Sequence, residues 1–132
     1  MKKQNPLHNQ KGFTLVEIIA VLIILGILAA VAVPRYIDLE SSAKERAIDA
    51  AVAELNGRES LIWADVKISG TSGYSADSDV YGDPAYDTDL GSEYSWTADP
   101  ANGSGGELDF KNLKVTLTRT PSENTKPAVW TR

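Results

Sequence analysis

Residues 13–33 read FTLVEIIAVLIILGILAAVAV, and only Thr14, Glu17 and Gly26 interrupt 21 otherwise apolar positions. Wound as an α-helix at about 1.5 Å per residue, the run is roughly 30 Å long, the thickness of a bilayer's hydrocarbon layer. A segment of this length and composition belongs in a membrane. Lys2, Lys3 and Lys11 precede it with no acid among them, whereas Arg35, Asp38 and Glu40 follow it. That excess of basic residues places the amino end in the cytoplasm and the bulk of the chain on the outer face.

Composition narrows the function classes. A chain of 132 residues has room for one small domain beyond such a segment. With 13 Lys and Arg against 18 Asp and Glu, a formal charge of −5, it has no diffuse positive field to gather phosphates, so nucleic acid is not an expected partner. There is no cysteine, which excludes disulfides, thiolate metal centres and cysteine nucleophiles. The single histidine, His8, lies in the first dozen residues. No phosphate loop, triad spacing or zinc signature occurs, so the chain is not read as an enzyme and no residue receives a catalytic role.

Three ordinary readings compete for residues 13–33. A cleavable secretory signal fits the basic start and the small-x-small pattern Ala30-Val31-Ala32, but the apolar run is too long for an ordinary signal core and contains a carboxylate. A buried core helix needs more surrounding chain than is present. A plain single-pass anchor would do better without Glu17, since a carboxylate inside the bilayer costs about 2.5–3.5 kcal/mol near the centre and less near the interface. Glu17 therefore calls for a cationic partner, and residues 13–33 contain no Lys, Arg or His. The nearby candidate is a new amino terminus, created by a cut between Gly12 and Phe13.

Lys11-Gly12-Phe13-Thr14-Leu15-Val16-Glu17, followed by an unbroken apolar run to Pro34, resembles the amino-terminal signal of type IV pilins and of the pseudopilins of type II secretion. The likeness covers residues 1 to about 40 closely and the rest in layout. It implies that residues 1–12 are a leader removed by a prepilin peptidase, that the amine of Phe13 is methylated, and that Glu17 pairs with the amino terminus of an adjacent subunit. It implies an α+β fold in which a long amino-terminal helix packs on a small antiparallel sheet. It also implies a homo-oligomeric helical filament, with a precursor in the bacterial inner membrane and a product that is extracellular or periplasmic. Losing Lys2, Lys3 and Lys11 with the leader would leave ten basic against 18 acidic side chains, a formal charge of −8.

On this reading residues 13–34 form the transmembrane and assembly helix and residues 35–68 its amphipathic continuation. Residues 69–132 form a small globular domain. Pro34 lacks an amide donor and Gly26 is a weak helix former, so the stretch between them is expected to loosen, as the resemblance also implies for the filament; Pro34 merely marking the membrane exit is the plainer alternative. Ile37, Ile48, Ala51, Val52, Leu55, Ile62 and Val66 form one apolar stripe, interrupted by Lys44 and Glu59. Glu40 with Lys44 and Glu54 with Arg58 are supporting pairs four residues apart. Gly57 is a possible break. Leu39, Ala43, Ala50 and Ala53 lie on the opposite side, suited to the helices of neighbouring subunits.

Residues 69–99 are expected to form a long acidic surface loop, with seven Asp or Glu and no Lys or Arg. Asp77, Asp79, Asp83, Asp87 and Asp89 fall within 13 residues and are the candidate ligands of one calcium ion, the only cofactor the chain suggests. Tyr81 and Thr88 occupy positions where an EF-hand places acids, so that loop is absent, and a solvated acidic loop is the alternative. Residues 94–98, 107–110 and a strand carrying Leu113, Val115 and Leu117 predict an antiparallel sheet, with a last strand ending at 128–130. Trp63 and Trp130 are expected between helix and sheet. Many pilins close this region with two cysteines; here packing or a metal must hold it.

A filament subunit serving adhesion, motility or surface contact is the expected function. The alternatives are a major pseudopilin of a secretion system and a solitary membrane-anchored binding module.

Overall fold

The computed structural model describes residues 12–69, 73–100 and 103–132; the leader positions 1–11 lie outside the described residues. The elements run α1 (Leu15–Ser69), α2 (Ser78–Tyr81), β1 (Tyr94–Ala98), β2 (Gly106–Phe110), β3 (Leu113–Thr120) and β4 (Val129–Thr131). The chain divides into two compact units, one ending at Leu39 and the other Glu40–Arg132.

In the first unit, α1 starts at a capping box. The Thr14 hydroxyl accepts from the Glu17 amide (3.3 Å), and the Glu17 carboxylate accepts from the Thr14 amide (2.7 Å) and hydroxyl (3.0 Å). The helix continues through Gly26 and Pro34 without interruption. Its apolar side chains are exposed on every side, from Phe13 to Leu39. By length and composition α1 is able to cross a membrane.

In the second unit, α1 buries Ile48, Ala51, Leu55, Glu59 and Ile62, a stripe recurring every three or four residues. Leu108, Leu117 and Trp130 from the sheet complete one core with Ile48, Ala51 and Leu55. Gly57 does not break the helix, which reaches Ser69. Two of the stripe's expected members lie off the core: Ile37 is exposed, and Val66 is half-buried.

The sheet is an antiparallel meander in the order β1-β2-β3-β4. Phe110 pairs with Leu113 across the two-residue turn Lys111-Asn112, both at positive φ (49° and 68°), the geometry that follows the strands' own twist. The Asp109 carboxylate accepts from the Asn112 amide at 3.0 Å and fixes the turn. Upstream, Gly105 at φ 89° lets the chain enter β2, where a Cβ would stand 2.4 Å from the Leu117 carbonyl oxygen. The final strand is Val129–Thr131, one residue later than its expected end.

Two side chains of α1 tie down the carboxyl-terminal segment. Asn56 Oδ1 accepts from the Trp130 amide (2.7 Å) and its Nδ2 donates to the Trp130 carbonyl (3.0 Å), so one amide group satisfies the outer edge of β4 as a neighbouring strand would. Trp63 is half-buried, not a core residue, and its Nε1 donates to the Glu123 carbonyl at 2.9 Å. Lys67 donates to the Asn124 carbonyl and side chain beside the Trp63 ring. These contacts do the work that a covalent bridge would otherwise do.

Candidate assembly site

Gly12, Phe13 and Thr14 precede the first helical turn, and all three are exposed. Phe13 is 84% exposed, and Gly12 and Phe13 lie outside the helix. Glu17 lies on the first turn, its Oε2 held by Thr14. The carboxylate thus has a local polar partner within its own turn. Sequence reasoning sought only a charged partner for Glu17 and missed this one, although the T-x-x-E spacing of Thr14 and Glu17 announces it.

Gly26 and Pro34 stand where the sequence puts them. Nothing lies within 4 Å of a Cβ built on Gly26, and Pro34 sits inside the helix. From Phe13 to Leu39 the large apolar side chains are between 47% and 84% exposed. That surface requires either lipid or other helices around it.

The acidic segment is organised differently from a solvated loop. Val80 of α2 is fully buried, and Asp77 lies against Arg119 of β3. Arg119 is buried with all five N–H donors used. Nε (2.5 Å) and Nη2 (3.1 Å) reach Glu59, Nη1 (2.7 Å) and Nη2 (3.0 Å) reach Asp77, and Nη1 also reaches the Gly103 carbonyl (3.1 Å). Glu59 Oε1 accepts further bonds from Trp130 Nε1 (2.9 Å) and the Tyr86 hydroxyl (3.1 Å). Asp77 Oδ1 accepts from the amide (2.7 Å) and hydroxyl (2.6 Å) of Ser122. Burial pushes Asp77 upward, but the bonds from Arg119 and Ser122 outweigh it and hold the carboxyl below its usual range. Burial and the Glu59 charge push the Tyr86 phenol up.

The five candidate calcium ligands are therefore dispersed to separate tasks. Asp77 neutralises Arg119. Asp79 Oδ2 accepts from the amides of Ser75 (2.7 Å) and Ala76 (2.9 Å) and closes the turn that leads into α2. Asp83, Asp87 and Asp89 accept from the amides of Ala85, Asp89 and Gly91, at 2.7, 2.7 and 2.8 Å. Among the described residues no three His, Asp or Glu side chains are grouped to hold a metal ion. The donor set as arranged does not fit calcium.

Comparison with known proteins adds four findings. The family model described as the prokaryotic N-terminal methylation motif matches residues 7–33. The type IV narrow pilus major component PilA5 of Thermus thermophilus is 40% identical over 57 residues, 43% of this chain and 49% of that protein. The type IV major pilin protein PilE1 of Neisseria gonorrhoeae is 30% identical over 116 residues, 82% of this chain and 51% of that protein. Fimbrial protein Q of Moraxella bovis is 42% identical over 59 residues, 36% of this chain and 38% of that protein. The chain thus spans about half the length of these relatives, or less. No solved structure matches it.

Proposed function

We propose, for a chain that belongs to the type IV pilin family, that it is the structural subunit of an extracellular pilus-like filament used in adhesion, motility or surface contact. The observation that carries this reading is the exposed apolar helix behind Lys11-Gly12-Phe13, with a single carboxylate at Glu17. A bilayer covers that helix before assembly, and packed helices of other copies cover it afterwards. Prepilin peptidase cuts after Gly12, leaving the Phe13 amine at the level of Glu17. During assembly Glu17 exchanges its Thr14 bonds for a neighbour's terminal ammonium. A wrongly placed subunit leaves both charges unpaired in an apolar surround, which selects the correct register.

The test is Glu17→Val in the native cell. Cleavage to a Phe13 amino terminus, read by mass spectrometry, is expected to be unchanged, and filaments are expected to be scarce. Normal filament yield would remove Glu17 from assembly, and a mature terminus other than Phe13 would refute the cut. Long fibres outside the cell distinguish this subunit from a pseudopilin confined to the periplasm.

A further inference from the structure

Glu17 and Arg35 are the only charged residues between Phe13 and Ile37, and α1 runs through both without interruption. Arg35 lies eighteen residues beyond Glu17, about 27 Å of helix at about 1.5 Å per residue, close to the roughly 30 Å of a bilayer's hydrocarbon layer. With Glu17 at one headgroup layer, Arg35 therefore stands at the other. On the orientation read from the basic start, that is the outer leaflet. Arg35 is exposed, and among the described residues it makes neither an ion pair nor a hydrogen bond. The acids that follow it in the chain do not take it: Glu40 holds Lys44 at 2.8 Å, and Asp38 makes no ion pair with it.

Beside it the helix carries a shallow, open hollow lined by Ala32, Arg35, Tyr36 and Leu39, residues three, four and seven apart that share one face. Its walls are almost wholly apolar. Tyr36 and Leu39 stand out from the helix around it, and Tyr36 puts a phenol at the depth where amphipathic rings settle between hydrocarbon and headgroups. An apolar hollow next to an unpaired guanidinium offers two chemistries at once, a seat for an alkyl chain and a planar fork for an oxyanion. At this depth of a bilayer the molecule that carries both groups is a phospholipid. A parallel helix of a second copy would instead bring its own Arg35 to the same level.

We infer that Arg35, Tyr36 and the hollow beside them seat one phospholipid of the outer leaflet, its phosphate on the guanidinium and an acyl chain over Ala32. Arg35 is then a positioning residue. The lipid fixes the depth of the outer end of the span, and so keeps Glu17 and the Gly12-Phe13 bond at the cytoplasmic surface. The contact breaks when the helix leaves the bilayer for a filament. The inference rests on reading residues 13–34 as a membrane-spanning helix before assembly.

The test uses the full chain in nanodiscs of equal parts phosphatidylglycerol and phosphatidylcholine, released into mild detergent, with retained lipid identified by native mass spectrometry. Phosphatidylglycerol has no headgroup cation to compete with Arg35 and is expected to be retained about fivefold over phosphatidylcholine. Arg35→Gln is expected to abolish that preference. Ala32→Trp, which fills the hollow and leaves the charge, is expected to lower retention of both lipids. A benzophenone amino acid in place of Tyr36, irradiated in native membranes, is expected to gain the mass of a phospholipid. The lipid seat would be overturned by equal retention of the two lipids, by a preference that survives Arg35→Gln, by retention untouched in Ala32→Trp, or by cross-links from position 36 to a second copy. Each of these leaves the filament reading, tested at Glu17, standing. Recovery of the unaltered chain outside the membrane fraction would overturn both.

Discussion

Arg119 of β3 and Glu59 of α1 form a buried ion pair with two hydrogen bonds, their side chains 0% and 2% exposed. It joins helix to sheet at the point where Asp77 of the acidic segment and Trp130 of β4 also converge. One guanidinium thus connects four parts of a domain that has no cysteine to connect them.

Removing the cation should be far more damaging than its number of contacts suggests. Arg119→Met leaves Glu59 and Asp77 facing each other without compensation, and breaking a buried pair from one side costs about 3–5 kcal/mol. Thermal unfolding of the detergent-solubilised chain, followed by tryptophan fluorescence, is expected to show a large drop in midpoint or no folded domain. Glu59→Gln keeps acceptor geometry for Trp130 and is expected to be milder. Equal midpoints for Arg119→Met and the unaltered chain would show that the cluster is not a keystone.

The same cluster sets the pH limits of the domain. The carboxyl of Asp77 is held below its usual value near 3.8, so its contribution is present above about pH 4 and is lost as pH falls through the lower folded-state value. The Tyr86 phenol is raised above its usual 10.0, so its contribution is complete below that pH and lost as pH climbs beyond it. Asp77→Asn should therefore flatten the acid limb of a midpoint-against-pH curve, and Tyr86→Phe the alkaline limb. A parallel shift of either curve, with its slopes intact, would contradict the assignment.

Asn56 makes a different kind of link, and its loss should be local. In Asn56→Ala the amide and carbonyl of Trp130 lose both partners at a half-covered edge, at a cost of about 1–3 kcal/mol. Hydrogen exchange at Trp130 should accelerate, while Leu108 and Leu117 in β2 and β3 remain protected. Uniform acceleration across the sheet would mean that Asn56 supports the whole domain rather than the β4 edge.

Much of this architecture was legible in the sequence because it depends on period. The alternation of Leu113, Val115 and Leu117 locates β3, and the spacing of Ile48, Ala51 and Leu55 locates the buried face of α1. What escaped was polar chemistry at apolar positions. Glu59 interrupts the stripe and Arg119 continues the inward face of β3, and each looks like a fault until the other is placed opposite it 60 residues away. Asp77 escaped for the same reason: its neighbours in sequence suggest a cation, whereas its neighbour in space is Arg119. The loop's hidden anchor, Val80, is one apolar residue in an acidic run and carries no periodic signal.

Thr14 offers the sharpest test of how Glu17 is handled. Its hydroxyl and amide both donate to the carboxylate, and its hydroxyl also accepts from the Glu17 amide. On the proposed assembly route, a carboxylate so held is tolerable at the membrane surface and has to leave Thr14 to meet a neighbour's ammonium. Thr14→Val preserves shape and removes the hydroxyl; Thr14→Ser retains it. If the cap serves only the helix, both variants should assemble normally, because one frayed turn in a helix of 55 residues is a minor loss. If it presents Glu17 at the right depth, Thr14→Val should reduce filament yield by roughly tenfold, near the loss of one charge-assisted bond in an apolar setting, and Thr14→Ser should restore it. Sheared-filament yield, normalised to cleaved subunit in the membrane, separates the two outcomes.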